Sequence, residues 1–79
     1  MKMTVKLFGT LRSHYPEYDH GAGIELESDS KIRANQVIEE LGLPVKQIGI
    51  VTINGNLSKA EDIVPDNSEV KVFQTLAGG

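Results

Sequence analysis

The chain has 79 residues, which is enough for one domain that hides only about 60 to 65% of the surface its unfolded chain exposes. Eight lysines and arginines against eleven aspartates and glutamates give a formal net charge of −3, which argues against electrostatic binding of nucleic acid or of an anionic membrane and favours protein partners. The absence of cysteine excludes a disulfide framework, a thiolate metal site and a thiol nucleophile.

The first predicted element is a strand over MTVKLF, residues 3–8. Apolar residues at positions 3, 5 and 7 alternate with positions 4, 6 and 8, the period of a half-buried strand, so Phe8 falls on the polar side. The start MKMTVKLFG lacks the long apolar stretch of a signal peptide, and no run of about 18 apolar residues occurs. We therefore expect a cytoplasmic protein without a membrane span.

Residues 9–23, GTLRSHYPEYDHGAG, show no sustained period and are predicted to form a loop with one helical turn near Leu11. Residues 24–27, IELE, alternate again and predict a second strand that pairs with the first. His14 and His20 could bind a metal together with an acidic neighbour in this loop. No third ligand has a diagnostic spacing, so we predict no metal site.

A change of period marks the one predicted helix. Its apolar positions follow the i, i+3, i+4, i+7 spacing of one helical face: Ala34, Val37, Ile38 and Leu41. Asp29 and Ser30 are the expected N-terminal caps, because either side chain can accept a backbone N–H bond. Gly42 and Pro44 are expected to end the helix.

The remaining residues predict a strand over IGIVTI, a turn at Asn54 and Gly55, a very short return strand at Leu57 and a final strand over EVKVF, residues 69–73. Two strands, one helix and then further strands predict an α+β domain, with the helix covering one face of a mixed sheet. We therefore predict a β-grasp fold.

Four sequence features together resemble the sulfur-carrier family of MoaD and ThiS, and the resemblance covers the whole chain. These features are LFGTLR at residues 7–12, IEELGLP at the end of the helix, the Asn-Gly turn, and a last strand that runs into Ala-Gly-Gly. The resemblance implies a ubiquitin-like β-grasp domain over residues 1–75 and a flexible C-terminal tail over 76–79. It also implies that an E1-like adenylyltransferase uses ATP to adenylate the carboxylate of Gly79, which then becomes a thiocarboxylate.

The composition of the tail suits this chemistry. A carboxylate is a poor electrophile until it forms a mixed anhydride with AMP, and for that step its carbonyl has to enter the active site of a partner enzyme. Gly78 and Gly79 have no side chain to obstruct that path. Extended, residues Leu76 to Gly79 reach roughly 13 Å, so Leu76, Ala77 and Gly78 are predicted partner contacts and Gly79 is the predicted reacting residue. No paired acids, triad or phosphate loop occurs, so we expect a carrier that binds no cofactor stably and is not itself an enzyme.

A partner also needs a surface to bind. If the first and last strands are neighbours, as the family implies, Phe8 and Phe73 both point away from the helix-covered face. They would then form an exposed apolar patch, the usual mark of an interface. The alternative is that the loop over residues 10–23 covers them, with Tyr15 or Tyr18 folding over.

Several recipients and rival functions stay open. The long segment 9–23 is more similar to MoaD than to ThiS, which favours transfer to molybdopterin through the molybdopterin synthase large subunit over thiamin formation through thiazole synthase. FQTLAGG departs from the prolines that many MoaD sequences carry. A ubiquitin-like modifier would use the same terminus to join a lysine amine. An acyl carrier protein would use Ser30, but Lys31 and the alternating strands argue against it.

Overall fold

The structure is a computed structural model that describes residues 1–75. Five strands, one α-helix and two short 3₁₀ helices make up this part of the chain. In chain order they are β1 (Lys2–Phe8), a 3₁₀ helix (Gly9–His14), β2 (Ile24–Glu27), α1 (Ala34–Leu41), a second 3₁₀ helix (Val45–Gln47), β3 (Ile48–Ile53), β4 (Asn56–Leu57) and β5 (Ser68–Gln74). None of these helices is long and apolar enough to span a bilayer.

All five strands form one mixed sheet in the order β2-β1-β5-β3-β4. The first and last strands lie parallel at its centre, with Val5 opposite Val70 and Phe8 opposite Phe73. Every other pairing is antiparallel, including the predicted pairing of β1 with β2. A mixed sheet with one main helix confirms the predicted α+β, β-grasp architecture.

The core lies between the sheet and α1. The odd-numbered positions of β1 face it, as the alternation predicts, and so do Val70 and Val72 of β5. The core also contains the four apolar positions that define the helical face. The buried hydrophobic side chains are Met3, Val5, Leu7, Leu11, Ile32, Ala34, Val37, Ile38, Leu41, Leu43, Val64, Val70 and Val72.

The predicted helix caps are wrong. The helix begins at Ala34, so Asp29 and Ser30 lie in the bend before it and too early to cap it. Arg33 occupies the N-cap position without a capping hydrogen bond from its side chain. The side-chain oxygen of Gln36 instead accepts a bond of 2.8 Å from the backbone N–H of Arg33.

Carbonyl groups from a distant loop bind the first amides of α1. The backbone N–H of Ala34 donates to the carbonyl of Asp62, and that of Asn35 to the carbonyl of Ala60, both at 2.9 Å. These amides lack partners within a helix and are usually satisfied by a capping side chain. Here the segment after β4 provides the acceptors, which no local sequence signal indicates.

The predicted end of the helix and the predicted turns are confirmed, while β1 begins one residue earlier than predicted and β5 extends one residue further at each end. The last residue of the helix is Leu41, and Gly42, with a φ of 66°, is its C-cap. Asn54 and Gly55 both have positive φ, 51° and 86°, in the turn that joins β3 to the two-residue return strand β4. The predicted helical turn near Leu11 is the first 3₁₀ helix, and Leu11 is fully buried.

Two tyrosines attach the loop before β2 to the rest of the domain. The Tyr15 hydroxyl donates to the carbonyl of Leu41 at the end of α1, and burial raises the pKa of this hydroxyl. The Tyr18 hydroxyl accepts a 2.9 Å hydrogen bond from the backbone N–H of Leu7. Since β2 pairs only with residues 2–5 of β1, Tyr18 satisfies an amide of β1 beyond the end of that pairing.

Candidate functional site

The candidate site is the C-terminal end of β5 and the sheet surface beside it. Gln74 is the last residue of the strand and Thr75 follows it, and we call these two residues the tail root. The side-chain oxygen of Gln74 accepts a hydrogen bond from the backbone N–H of Thr10. On the other side, the N–H of Thr75 donates to the carbonyl of Gln47 at 2.8 Å. The tail root is thus held from both sides, by the two 3₁₀ helices that adjoin β1 and β3.

Two glycines allow this close fit. Gly9 has a φ of 72°, which is unfavourable for other residues, and a Cβ at this position would overlap the side-chain oxygen of Gln74. Gly49 lies at an irregularity between β3 and β5, where a Cβ would stand 2.9 Å from the Cα of Thr75. Larger residues at either position would push against the tail root.

Phe8 and Phe73 lie side by side on the sheet face opposite α1, as the strand parity predicts. Their rings stack with centroids 4.5 Å apart and planes inclined by 16°. Both side chains are half-buried. The pair lies at the end of the two central strands, and Phe73 is two residues before Thr75.

The loop covers this pair only in part, and with a residue other than the two expected. The ring of His20 packs against that of Phe8 in a T-shaped arrangement, with centroids 4.9 Å apart and planes at 85°. A 2.9 Å hydrogen bond joins the Nδ1 of His20 to the hydroxyl of Tyr18. Tyr15 lies elsewhere, against the end of α1. Tyr18 therefore positions the residue that covers Phe8.

Ile50 also belongs to this surface, although no sequence pattern predicted it there. The residue pairs with Phe73 across β3 and β5, and 49% of its surface is exposed. Phe8, Phe73 and Ile50 lie next to one another on three adjacent strands, and we call these three residues the apolar row. Alternation within β3 puts Ile50 on the face opposite Val51, but its alignment with Phe73 depends on the β3–β5 register, which the local sequence does not encode.

Charged residues border the apolar row. Lys6 and Lys71 are opposite each other in the β1–β5 register. They lie on the same face of the sheet as Phe8 and Phe73, two residues before them in each strand. Both amino groups approach Glu69, at 3.6 and 3.7 Å. Ion pairs with this degree of exposure contribute little to stability, on the order of 0 to 1 kcal/mol. These charges give the apolar row a polar margin, which is a common feature of interfaces.

The other predicted site residues, Leu76, Ala77, Gly78 and Gly79, lie outside the described residues. The two histidines do not form a metal site with acidic neighbours. His14 lies 3.4 Å from the side-chain oxygen of Gln47, whereas His20 packs on Phe8. Within residues 1–75 no group of three or more potential metal ligands occurs.

Comparisons with known proteins place this geometry in a family. The chain is similar in structure to SAMP1 from Haloferax volcanii, with a TM-score of 0.74, 17% identity and coverage of 100% of both chains. It is also similar to a protein described as molybdopterin converting factor subunit 1 from Pyrococcus furiosus, with a TM-score of 0.72, 19% identity and coverage of 96% and 99%. These likenesses confirm, at the level of the fold, the resemblance to MoaD and ThiS.

No curated protein matches the chain. The sequence model of the family described as Mut7-C ubiquitin matches residues 1–76, which is nearly the whole chain. The β-grasp fold agrees with that description, and the protein therefore belongs to the Mut7-C ubiquitin family.

Proposed function

We propose that this protein is a sulfur carrier whose Gly79 carboxylate is adenylated by an E1-like adenylyltransferase and then converted to a thiocarboxylate. The observation that carries the proposal is the position of Ala-Gly-Gly in the sequence, one residue beyond a tail root that hydrogen bonds hold from both sides. The fold shared with a molybdopterin converting factor subunit supports it.

The proposed chemistry has two steps. The Gly79 carboxylate attacks the α-phosphate of ATP and releases pyrophosphate, which leaves an acyl adenylate. A persulfide of the sulfur donor then attacks the acyl carbon and displaces AMP, which gives an acyl disulfide. A thiol attacks the donor's sulfur in that disulfide, so the thiocarboxylate leaves and the donor and the thiol are left joined as a disulfide. Both steps require the terminal carbonyl to be placed within about 3 to 3.5 Å of the reacting atom, and the chain's contribution is to present that terminus.

The apolar row is the proposed docking surface for the activating enzyme. Because Phe73 is only three residues before Leu76, a partner that holds residues 76–79 also lies over the sheet surface at the tail root. A few well-packed side chains, often aromatic, supply most of the binding energy in many interfaces. Partner contacts are therefore proposed for Phe8, Phe73, Leu76, Ala77 and Gly78.

We also propose that the sulfur is delivered to a molybdopterin-type product through a molybdopterin synthase large subunit. Support comes from the 15-residue segment between β1 and β2, residues 9–23, and from the fold shared with a molybdopterin converting factor subunit. Delivery to thiazole synthase and conjugation to a lysine amine use the same activated terminus, and the products distinguish the three.

The test is reconstitution with an E1-like adenylyltransferase encoded in the same genome. The purified protein is incubated with that enzyme, ATP and a sulfur donor, and its intact mass is measured. We expect the AMP adduct without the sulfur donor, and with it the mass increase that replacing one oxygen by sulfur produces. A variant with one alanine added after Gly79 is the matched control and should give neither product.

Three results would contradict the proposal. Equal adenylation of the extended variant would show that Gly79 is not the reacting residue. Failure of the unextended protein to be adenylated by each E1-like enzyme of that genome would remove the carrier function. Isopeptide-linked species without a free thiocarboxylate would replace sulfur transfer by protein modification.

A further inference from the structure

A groove opens along one edge of the sheet, on the opposite side of β3 from β5. It has a volume of about 700 Å³ and lies between α1, the beginning of β3 and the segment after β4. We call it the edge groove. Its lining is mainly apolar, and it includes Ile38 of α1, Ile48 and Val51 of β3, and the exposed side chains of Val45 and Leu57.

The edge groove runs beside an unpaired length of β3. The return strand β4 pairs only with Thr52 and Ile53, and the N–H of Ser58 adds one bond of 2.9 Å to the carbonyl of Val51. Among residues 1–75, no strand lies along Ile48–Ile50 on the side away from β5. Sheet edges of this kind present backbone donors and acceptors to any extended chain.

This edge lacks the charged residues and prolines that commonly discourage pairing. The whole of β3, IGIVTI, contains no charged residue and no proline, and five of its six residues are β-branched. The opposite edge strand, β2, carries the exposed Glu25 and Glu27. Charge on an edge strand discourages the addition of another strand, so the two edges of this sheet differ in what they allow.

We propose that the β3 edge and the edge groove bind an extended, uncharged aliphatic segment of a partner protein, which adds to the sheet as a sixth strand. Side chains of an added strand alternate between the two faces of a sheet. Those that face the helix layer would enter the edge groove, while the backbone would pair with Ile48–Ile50.

A second copy of this chain fits less well. If its own β3 paired with this edge, the side chains on the helix side would be Ile48, Val51 and Ile53. These residues already pack against the core of their own molecule. They cannot also fill the groove of a neighbour, whereas a partner segment without its own core contacts can.

The test uses nuclear magnetic resonance with a defined probe. The probe is a short end-blocked peptide that alternates valine with threonine and has a lysine at each end. We expect chemical-shift changes at Ile38, Gly49, Ile50 and Leu57, and slower hydrogen exchange at the amides of the β3 edge. N-methylating the peptide amides that face β3 removes the hydrogen bonds and keeps the side chains, so it should weaken binding roughly tenfold or more.

Protein variants test the groove itself. Val45→Lys combined with Leu57→Lys introduces charge at two side chains that are 72% and 75% exposed, so folding should be preserved. This pair should weaken peptide binding roughly tenfold. Ile63→Lys, at an exposed isoleucine outside the edge groove, is the matched control and should not change it.

Five outcomes would overturn the proposal. The first three are no protection of the β3 edge at saturating peptide, equal binding of the N-methylated peptide, and shifts confined to Phe8 and Phe73. The fourth is edge protection that grows with protein concentration in the absence of peptide, which would identify a second copy as the occupant. The fifth is a set of shifts at the groove on deleting residues 76–79, which would identify the chain's own tail. None of these outcomes affects the adenylation of Gly79, so the two proposals fail independently.

Discussion

Phe73 belongs to the central strand β5 and also to the apolar row, the proposed docking surface for the activating enzyme. Replacing it with glutamate puts a charge in the middle of the apolar row, while the core on the other side of β5 is unchanged. We expect Phe73→Glu to remain folded, with a loss of about 1 kcal/mol from the stacking on Phe8. We expect the rate of adenylation at a limiting concentration of the activating enzyme to fall at least roughly tenfold.

The matched control is Asn56→Glu, which adds the same charge at an exposed position of β4. Its adenylation rate should equal that of the unmodified protein. If Phe73→Glu were activated as fast as this control, the apolar row would not be the docking surface.

Asp66 predicts a pH dependence of stability. A 2.7 Å hydrogen bond from the backbone N–H of Lys2 lowers the pKa of Asp66, and the nearby positive N-terminus adds to this lowering. Because the folded pKa lies below the unfolded value of about 3.9, the stabilisation is complete above that pH and is lost as pH falls through the folded pKa.

Denaturant unfolding at several pH values checks this effect. Asp66→Asn should lower the free energy of unfolding at neutral pH, and the difference from the unmodified protein should shrink below about pH 4. A difference that stays constant down to the lowest pH would show that the Asp66 charge does not stabilise the fold.

The residues of the site differ in how far the sequence predicted them. The alternation of β1 and β5 predicted the faces of Phe8 and Phe73, because side-chain direction in a strand follows from residue parity. Neither His20 nor Ile50 was predicted to be part of the site, and the reason differs between the two. His20 is in a segment without any period, and Ile50 meets Phe73 only through the β3–β5 register.

At the scale of elements, the end of β5 is fixed by close backbone contacts. Gly49→Ala would place a Cβ 2.9 Å from the Cα of Thr75, a distance that real Cβ atoms do not tolerate. We expect the backbone to shift at a cost of about 1 to 3 kcal/mol in the free energy of unfolding. Thermal or denaturant unfolding measures this loss.

Gly21→Ala is the matched control for this prediction. Its nearest contact would be the Oδ1 of Asp19 at 3.4 Å, an ordinary distance, and its φ is not in the left-handed region. Its effect should stay within about 0.5 kcal/mol. Equal stability of the two variants would show that β3 and Thr75 are not in close contact.

β3 also contains a correctable defect. The hydroxyl oxygen of Thr52 is buried and has no hydrogen-bond partner among the described residues. Thr52→Val keeps the β-branched shape and removes this polar group, so we expect a gain of about 0.5 to 1 kcal/mol in the free energy of unfolding. The hydroxyl of Thr4 donates to Glu25 at 2.7 Å, so Thr4→Val should give no such gain. A loss of stability in Thr52→Val would indicate a partner for this hydroxyl.

Element type was easier to predict than element boundaries set by distant contacts. The period of the apolar residues predicted α1, and Gly42 and the Asn54–Gly55 turn carry strong local signals. The start of α1 was mispredicted because its acceptors come from residues 60 and 62, which are far away in sequence.

For the whole molecule, the predicted boundary of the domain is at residue 75. Gln74 is the last residue of β5 that pairs with β3, and each of the two 3₁₀ helices contributes one hydrogen bond to the tail root. We therefore expect a variant ending at Thr75 to unfold with a free energy within about 0.5 kcal/mol of that of the full chain. Denaturant unfolding of both proteins measures the difference, and a larger loss would place the boundary beyond residue 75.

The parallel pairing of β1 with β5 also bears on how this protein can be handled in the laboratory. Met3 stands opposite Ser68 and Phe8 opposite Phe73, so Met1 and the tail root are at opposite ends of the central strands, about 20 Å apart. A purification tag or fluorophore joined ahead of Met1 would lie on the far side from an enzyme engaged with Gly79. The same attachment at the other terminus would block the group that is proposed to react.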